Sequence, residues 1–310
     1  MRTHRPELLP TNSWKPGCHG AQQVAYRIGE ITFGLIGQKD LLLTLDSELR
    51  EFAVEAGSMD VCLRISWSDS LDVPTSAPLF HSGGLWSLFA EPVGYRFSFQ
   101  SAFLGKTPYK EAWLDKEFRS GQVLLSRRYF DTDRPVYPLE YPLDELLMIH
   151  RLSRGEGVEV HAVGITDENG CGHLFLGHSG AGKSTTAKLW KGRTGVHILS
   201  DDRIILRVRD GQIWMYGTPW HGDAGIASPD CARLSRIYLL EHGSCNEQQP
   251  LAAGLATAEL FARSFVPHHS AEGIRFTLDF LDRVAREIPC SVFRFVPDES
   301  AVEAICRAGV

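Results

Sequence analysis

The amino-acid sequence predicts a mixed α/β fold, with a mostly β amino-terminal domain followed by a domain that alternates strands and helices. Residues 26–130 contain short β-like stretches separated by Gly, Pro, Ser and Asp. Residues 158–165 and 173–176 also have the pattern of strands, and residues 253–264 and 271–287 carry apolar side chains at helical spacing. This mixture of elements is typical of a sheet covered by helices.

Length and composition favour two domains. The chain has 310 residues, which exceeds the usual size of a single domain. Residues 131–142 are rich in Pro and acidic side chains, the composition of an extended connector. We therefore expect a flexible tail at residues 1–20, a β-rich domain at residues 21–140 and a second domain at residues 141–310.

Charge and hydropathy argue against several classes of partner. No apolar run approaches the length of about 20 residues that crosses a bilayer, and the amino-terminal segment lacks the apolar core of a secretory signal. The formal net charge of −6 disfavours a surface for nucleic acid or anionic lipid. The 7 cysteines include no C-x-x-C pair, which argues against a zinc site. We expect a cytoplasmic protein that binds neither nucleic acid nor membrane.

A glycine-rich loop with the Walker A pattern G-x-x-x-x-G-K-[ST] directly follows the strand at residues 173–176. Backbone N–H groups on such a tight turn, at the start of a helix, bind polyphosphate because no bulky side chain intervenes. The lysine of the pattern, Lys183, bridges the β- and γ-phosphates, and the hydroxyl of Ser184 ligates Mg²⁺. The sequence thus predicts ATP and Mg²⁺ as ligands of a P-loop. The predicted nucleotide-binding residues are Gly177, His178, Ser179, Gly180, Ala181, Gly182, Lys183, Ser184 and Thr185.

Two adjacent aspartates, Asp201 and Asp202, end the short apolar strand predicted at residues 196–200. A carboxylate at this place in a nucleotide-binding fold usually lies beside the metal ion. Successive side chains of a strand point in opposite directions, so the chain must turn if both carboxylates are to reach the site. One would then serve Mg²⁺ while the other accepts a proton from an attacking hydroxyl. The alternative is an exposed acidic turn that ends the strand.

Two further places hold candidate site residues. His161 lies in the strand before the P-loop strand, from which its ring could reach a phosphate or the acceptor, although a lone strand histidine is more often structural. His221 and Asp223 follow the predicted hairpin at residues 203–216 and could line the acceptor side of the site. Gly217 and Pro219 fit a tight loop at the same place.

Five segments of the chain together resemble the HPr serine kinase/phosphorylase-like family, and the resemblance covers residues 142–310. It implies a nucleotide core similar to that of ATP-dependent phosphoenolpyruvate carboxykinase, with His161 in the catalytic centre. It also implies that Asp202 is the general base, that Asp201 is a partner of the metal site, and that Lys183 neutralises charge on the transferred phosphate. The segments are Tyr141-Pro-Leu-Asp-Glu-Leu-Leu, Val160-His161-Ala162, residues 177–184, Leu199-Ser-Asp-Asp202 and Tyr216-Gly-Thr-Pro219.

Two departures from the family bear on the substrate. The amino-terminal region lacks the glycine-rich motif of the bifunctional HPr enzymes. Residues 213–222 lack the acidic signature of those enzymes and resemble smaller HPr-kinase-like proteins, some of which phosphorylate a precursor peptide. The first departure indicates a different choice of substrate, and the second argues against phosphorylase activity and against HPr as the acceptor.

The leading hypothesis is an ATP- and Mg²⁺-dependent serine kinase that phosphorylates a hydroxyl of a protein or peptide, with the β-rich domain recruiting this acceptor. A small-molecule kinase, for example of free serine, is one alternative. A non-catalytic regulator that senses nucleotide is another. Members of the family are often oligomeric, so the resemblance is compatible with a homo-oligomer.

Overall fold

The structure is a computed structural model that describes residues 22–307, so the tail predicted at residues 1–20 lies outside the described residues. The predicted mixed α/β class is confirmed. The chain divides after Arg151 into two compact units, and each unit contains its own sheet. No helix within residues 22–307 is long and apolar enough to span a bilayer.

In the first unit, the described residues form one sheet of eight strands in the order β1-β2-β3-β8-β7-β6-β5-β4. The pairings β2–β3 and β3–β8 are parallel, and the others are antiparallel. In β3, apolar side chains alternate with polar ones and the apolar set is buried, as a half-buried strand requires. The strands are β1 Gln23–Ile28, β2 Ile31–Gly37, β3 Val61–Ser68, β4 Phe80–His81, β5 Trp86–Glu91, β6 Gly94–Ser101, β7 Gly105–Asp115 and β8 Ser120–Ser126, and a 3-10 helix spans Ser47–Phe52.

Helix α1, Leu143–Leu152, belongs to the first unit except for its last residue. The sequence predicts a domain boundary between residues 140 and 141, ahead of this helix. Tertiary packing explains the difference, because the ring of His150 lies 5.4 Å from the ring of Phe97 and 4.6 Å from that of Phe118. These contacts join the helix to β6 and to the turn between β7 and β8, both of which come before it in the chain.

The second unit is a mixed sheet covered by helices. Its strands are β9 Val158–Thr166, β10 Gly172–Leu176, β11 His197–Ser200, β12 Arg203–Arg209, β13 Gln212–Tyr216, β14 Cys231–His242, β15 Glu247–Pro250, β16 Ser264–Phe265 and β17 Cys290–Phe295. Its helices are α2 Lys183–Trp190, α3 Ala253–Phe261, α4 Ala271–Glu287 and α5 Glu299–Arg307. The predicted hairpin β12–β13 is confirmed, and its turn residues Asp210 and Gly211 both have positive φ.

Strand β9 organises the second unit, because its two faces contribute to two different hydrophobic clusters. Val158, Val160 and Ala162 belong to a cluster with β10, β12, β13, β14, α3 and α4. Val163 and Ile165 belong to a second cluster with α2 and α5. Since side chains alternate along a strand, Glu159 and His161 share the face of Val163 and Ile165, which is the face packed by α2.

Candidate functional site

The glycine-rich loop joins β10 to α2, as the sequence predicts, and two of its glycines are required by the backbone. Gly180 and Gly182 have φ of 82° and 103°, values that L side chains rarely adopt. A Cβ atom placed on Gly182 would also lie 2.6 Å from Cζ of Phe295 at the end of β17. The loop therefore passes so close to β17 that only glycine fits at this position.

A histidine that the sequence interpretation missed supports the loop from a neighbouring strand. Nε2 of His242, the last residue of β14, donates to the carbonyl oxygen of Gly180 at 2.8 Å. The same imidazole stacks on the ring of Phe295, with 6.1 Å between centroids. β14 pairs in parallel with both β10 and β17, so the carboxyl ends of these three strands meet at one edge of the sheet. Only this pairing, which the sequence did not reveal, would have indicated His242.

Lys183 is folded back onto its own loop. Its Nζ donates to the carbonyl oxygens of Gly177 at 2.8 Å and His178 at 3.3 Å, and the residue is only 8% exposed. Burial lowers the pKa of Lys183, and the charges of Arg263 and Arg203 lower it further. The nearby Asp202 carboxylate raises this pKa but does not compensate, so it stays below its ordinary value.

His161 and Asp202 form a hydrogen-bonded pair beside this lysine. Nε2 of His161 lies 2.8 Å from Oδ1 of Asp202, with the two side chains 36% and 24% exposed. Burial alone would raise the pKa of Asp202. The hydrogen bond from His161 and the charges of Arg203, His161 and Lys183 together outweigh burial and hold that pKa below its ordinary value. Asp202 is therefore ionised at neutral pH.

Arg203 is a further charged member of the cluster that the sequence interpretation did not single out. Its guanidinium forms an ion pair with Asp202 and lies 3.7 Å from Oε1 of Glu159. It also lies 4.3 Å from the centroid of the Phe265 ring. Arg203 pairs with His161 in the β12–β9 ladder, so the register brings these groups together. Arg203 thus holds Oδ2 of the Asp202 carboxylate while His161 contacts Oδ1.

Asp201 has a different set of partners from Asp202. Its carboxylate is directed to the loop between β13 and β14, where it accepts hydrogen bonds from backbone N–H groups. The chain bends at residues 201–202, where the sequence interpretation requires a turn if both carboxylates are to reach the site. The assignment of Asp201 to a metal site stays a prediction.

The residues of the loop fit a nucleoside triphosphate with Mg²⁺. Gly182 caps the amino end of α2 without a side-chain hydrogen bond, so the cap residue leaves the first N–H groups of this helix open to an anion. Ser184 is half-buried in the first turn of α2. The described residues contain no cluster of three or more His, Cys, Asp or Glu side chains that could hold a metal ion. Mg²⁺ at a nucleotide site typically needs only one or two protein oxygens, the remainder coming from phosphates and water.

Comparisons with known proteins add little to this geometry. No protein-family model matches the chain, and no curated protein matches it. Among solved structures, it is similar to the Hpr(Ser) kinase/phosphatase from Coxiella burnetii, at 12% identity and a TM-score of 0.28. That likeness covers 49% of this chain and 92% of the other. A likeness of this extent does not decide the function, which has to be argued from the site.

Proposed function

We propose that this chain is an ATP- and Mg²⁺-dependent kinase that transfers the γ-phosphoryl group of ATP to a hydroxyl, most simply that of a serine in a protein or peptide. The observation that supports this proposal is an ionised carboxylate beside the P-loop lysine. Asp202 is close enough to Lys183 to raise the pKa of its ammonium group, and it is hydrogen-bonded to His161.

The site separates three tasks among its own side chains. The ammonium group of Lys183, released from the carbonyls of Gly177 and His178, would neutralise the negative charge on the transferred phosphoryl group. Asp202 would accept the proton of the acceptor hydroxyl as its oxygen bonds to phosphorus and the bond to ADP breaks. Arg203 and His161 hold the Asp202 carboxylate in place.

Mg²⁺ would be held by the Ser184 hydroxyl together with phosphate oxygens and water, and it would neutralise phosphate charge. Most of the catalysis at such a site comes from positioning and electrostatic stabilisation, because phosphoryl transfer needs little covalent chemistry from the protein. A preorganised cluster in which Arg203 and Lys183 surround the Asp202 carboxylate suits this demand.

The test uses purified wild type and Asp202→Asn with Mg²⁺, γ-labelled ATP and an extract of the source cell. Labelled polypeptides are then resolved from labelled metabolites. Label on a polypeptide with wild type alone would establish a protein or peptide kinase and identify its acceptor. Label on a metabolite with wild type alone would show a small-molecule kinase instead. ATP binding without any transfer would contradict the proposal and indicate a nucleotide-sensing regulator.

A further inference from the structure

The loop between β13 and β14 is folded back onto the segment that carries the aspartate pair. The buried hydroxyl of Thr218 donates to the carbonyl oxygen of Arg203 at 2.8 Å. Ser200 forms an isolated antiparallel bridge with Ala227, and N–H of Asp201 donates to the carbonyl oxygen of Ile226 at 3.4 Å. Both ends of residues 217–227, which we term the anchored loop, are therefore attached to residues 200–203.

The side chain of Asp201 attaches the middle of the anchored loop. Oδ1 accepts from the N–H groups of Gly222 at 3.1 Å and Ile226 at 3.2 Å, and Oδ2 accepts from N–H of Ala224 at 2.8 Å. Asp201 is only 2% exposed. A buried carboxylate needs such donors. The three N–H groups come from one segment of the anchored loop, so their charge-assisted hydrogen bonds determine the backbone path of the loop.

The anchored loop runs directly beside Asp202. A Cβ atom placed on Gly222 would lie 3.3 Å from Cβ of Asp202 and 3.0 Å from Oδ2 of Asp201. His161 and Arg203 already contact the Asp202 carboxylate, so the loop forms another wall around it. His221 and Asp223, which flank Gly222, are exposed and face away from the buried core.

We propose that Asp201 is a positioning residue that holds the anchored loop as the acceptor-side wall of the site. This inference rests on the proposed kinase function. In this role the Asp201 carboxylate accepts hydrogen bonds from three backbone N–H groups and does not ligate Mg²⁺. The acceptor hydroxyl approaches Asp202 past the loop, so the path of the loop determines which acceptors fit.

The test compares Asp201→Ala, Asp201→Asn and the control Asp230→Ala with wild type. Asp230 is exposed, and its carboxylate accepts from the Ser228 hydroxyl at 2.9 Å, so the control removes a charge at the far end of the same connection. Three quantities are measured in each variant: hydrogen exchange at the amides of Gly222, Ala224 and Ile226, Mg²⁺-dependent ATP affinity, and label transfer to polypeptide in the source-cell extract.

In Asp201→Ala we expect fast exchange at the three amides, unchanged Mg²⁺-dependent ATP affinity and about a 100-fold loss of transfer, the effect of a misplaced binding element. Asp201→Asn retains one oxygen acceptor and should give intermediate values of both exchange and transfer. Asp230→Ala should behave as wild type. If Asp201 were needed only for folding, label transfer would not decrease in step with the loss of amide protection in the loop while ATP affinity stayed constant.

Three results would overturn the inference. Unchanged exchange in Asp201→Ala would show that the carboxylate does not hold the loop. Fast exchange with unchanged transfer would show that the loop is not a wall of the acceptor site. Loss of Mg²⁺-dependent ATP affinity in Asp201→Ala would show that Asp201 contributes to the Mg²⁺ site. If the wild type transfers no label, the proposed function itself fails, and the acceptor role of the loop fails with it.

Discussion

Nε2 of His161 lies 2.8 Å from Oδ1 of Asp202, and this contact connects two neighbouring strands at the base of the P-loop. His161 is on β9, and Asp202 precedes β12, its antiparallel partner. The backbone reinforces the contact, since N–H of Ala162 donates to the carbonyl oxygen of Asp202 at 3.1 Å. The relative position of these two side chains is therefore set by the sheet and not by a mobile loop.

The first prediction concerns the proton acceptor. Asp202→Asn should retain Mg-ATP binding and lose phosphoryl transfer by a factor of about 100 to 10,000, the usual contribution of a general base. His161→Gln should cause a smaller loss, because Arg203 still holds the carboxylate. Single-turnover transfer and equilibrium nucleotide binding are measured for each variant. Transfer at the wild-type rate in Asp202→Asn would rule out the assigned role.

The second prediction concerns acid stability. The pKa of Asp202 is lower in the folded protein than its ordinary value, because the His161 hydrogen bond and the nearby cations outweigh burial. The unfolded chain therefore binds more protons here, so this contribution to stability is present above the ordinary aspartate pKa and is lost as pH falls through the folded value. Urea midpoints measured between about pH 5 and pH 2 should fall less steeply for Asp202→Asn than for wild type. Parallel slopes would contradict the lowered pKa.

The third prediction separates the P-loop lysine from a neighbour on the same helix. Lys183→Ala removes an ammonium group that points into the loop, whereas Lys188 is exposed on α2. A charge-assisted hydrogen bond is worth about 1.5–3 kcal/mol, so Lys183→Ala should weaken Mg-ATP binding by roughly 10- to 100-fold. Lys188→Ala should bind as wild type. Calorimetric titration with a non-hydrolysable ATP analogue measures both, and equal affinities would refute the assignment.

Local sequence patterns were sufficient for the elements whose structure is decided within a few residues. The glycine-rich loop and the turn at Asp210-Gly211 depend on positive φ, which glycine provides and aspartate tolerates. Strand β10 and helix α2 follow from the residues immediately around that loop. The sequence therefore predicts the order of strand, glycine-rich loop and helix in this part of the second unit correctly.

Other features depend on contacts between distant residues. The backbone donors of Asp201 lie 21 to 25 residues downstream, and only the bend at residues 201–202 directs its carboxylate toward them. The position of Arg203 depends on the β9–β12 register, and the packing of α1 depends on aromatic rings that come before it in the first unit. No local pattern encodes such pairings, so the sequence indicated the aspartate pair without indicating the different hydrogen-bond partners of its two carboxylates.

The fourth prediction compares two glycines of the P-loop. Both Gly180 and Gly182 have positive φ, so an alanine at either position costs about 1–2 kcal/mol of backbone strain. Nothing lies within 4 Å of a Cβ atom at Gly180, whereas at Gly182 it overlaps Phe295 and adds about 1–3 kcal/mol. Urea unfolding should show Gly182→Ala to be the less stable variant. Adding Phe295→Leu should lessen the effect of Gly182→Ala, and purely additive effects would contradict the proposed overlap.

The last prediction concerns an ion pair of the first unit in which only the lysine is buried. Nζ of Lys110 lies 3.2 Å from Oε1 of Glu140, and the lysine side chain is 0% exposed while that of the glutamate is 45% exposed. Because only the lysine is fully buried, the two halves of the pair are not equivalent. Lys110→Met leaves a glutamate that water can solvate, so it should change the free energy of unfolding by less than about 1 kcal/mol. Glu140→Ala leaves a buried ammonium without this partner and should cost about 1–3 kcal/mol.

The pH dependence distinguishes this explanation from a simple loss of packing. Burial holds the pKa of Lys110 below its ordinary value, and the Glu140 charge opposes that effect. Glu140→Ala should lower the folded pKa further, so the unfolded chain binds more protons between the two values and stability rises with pH. The deficit of Glu140→Ala relative to wild type should therefore shrink as pH rises toward the wild-type pKa of Lys110, because the variant loses its buried charge at a lower pH than wild type does. A constant deficit would mean that the glutamate stabilises the unit through its stem and not through its charge.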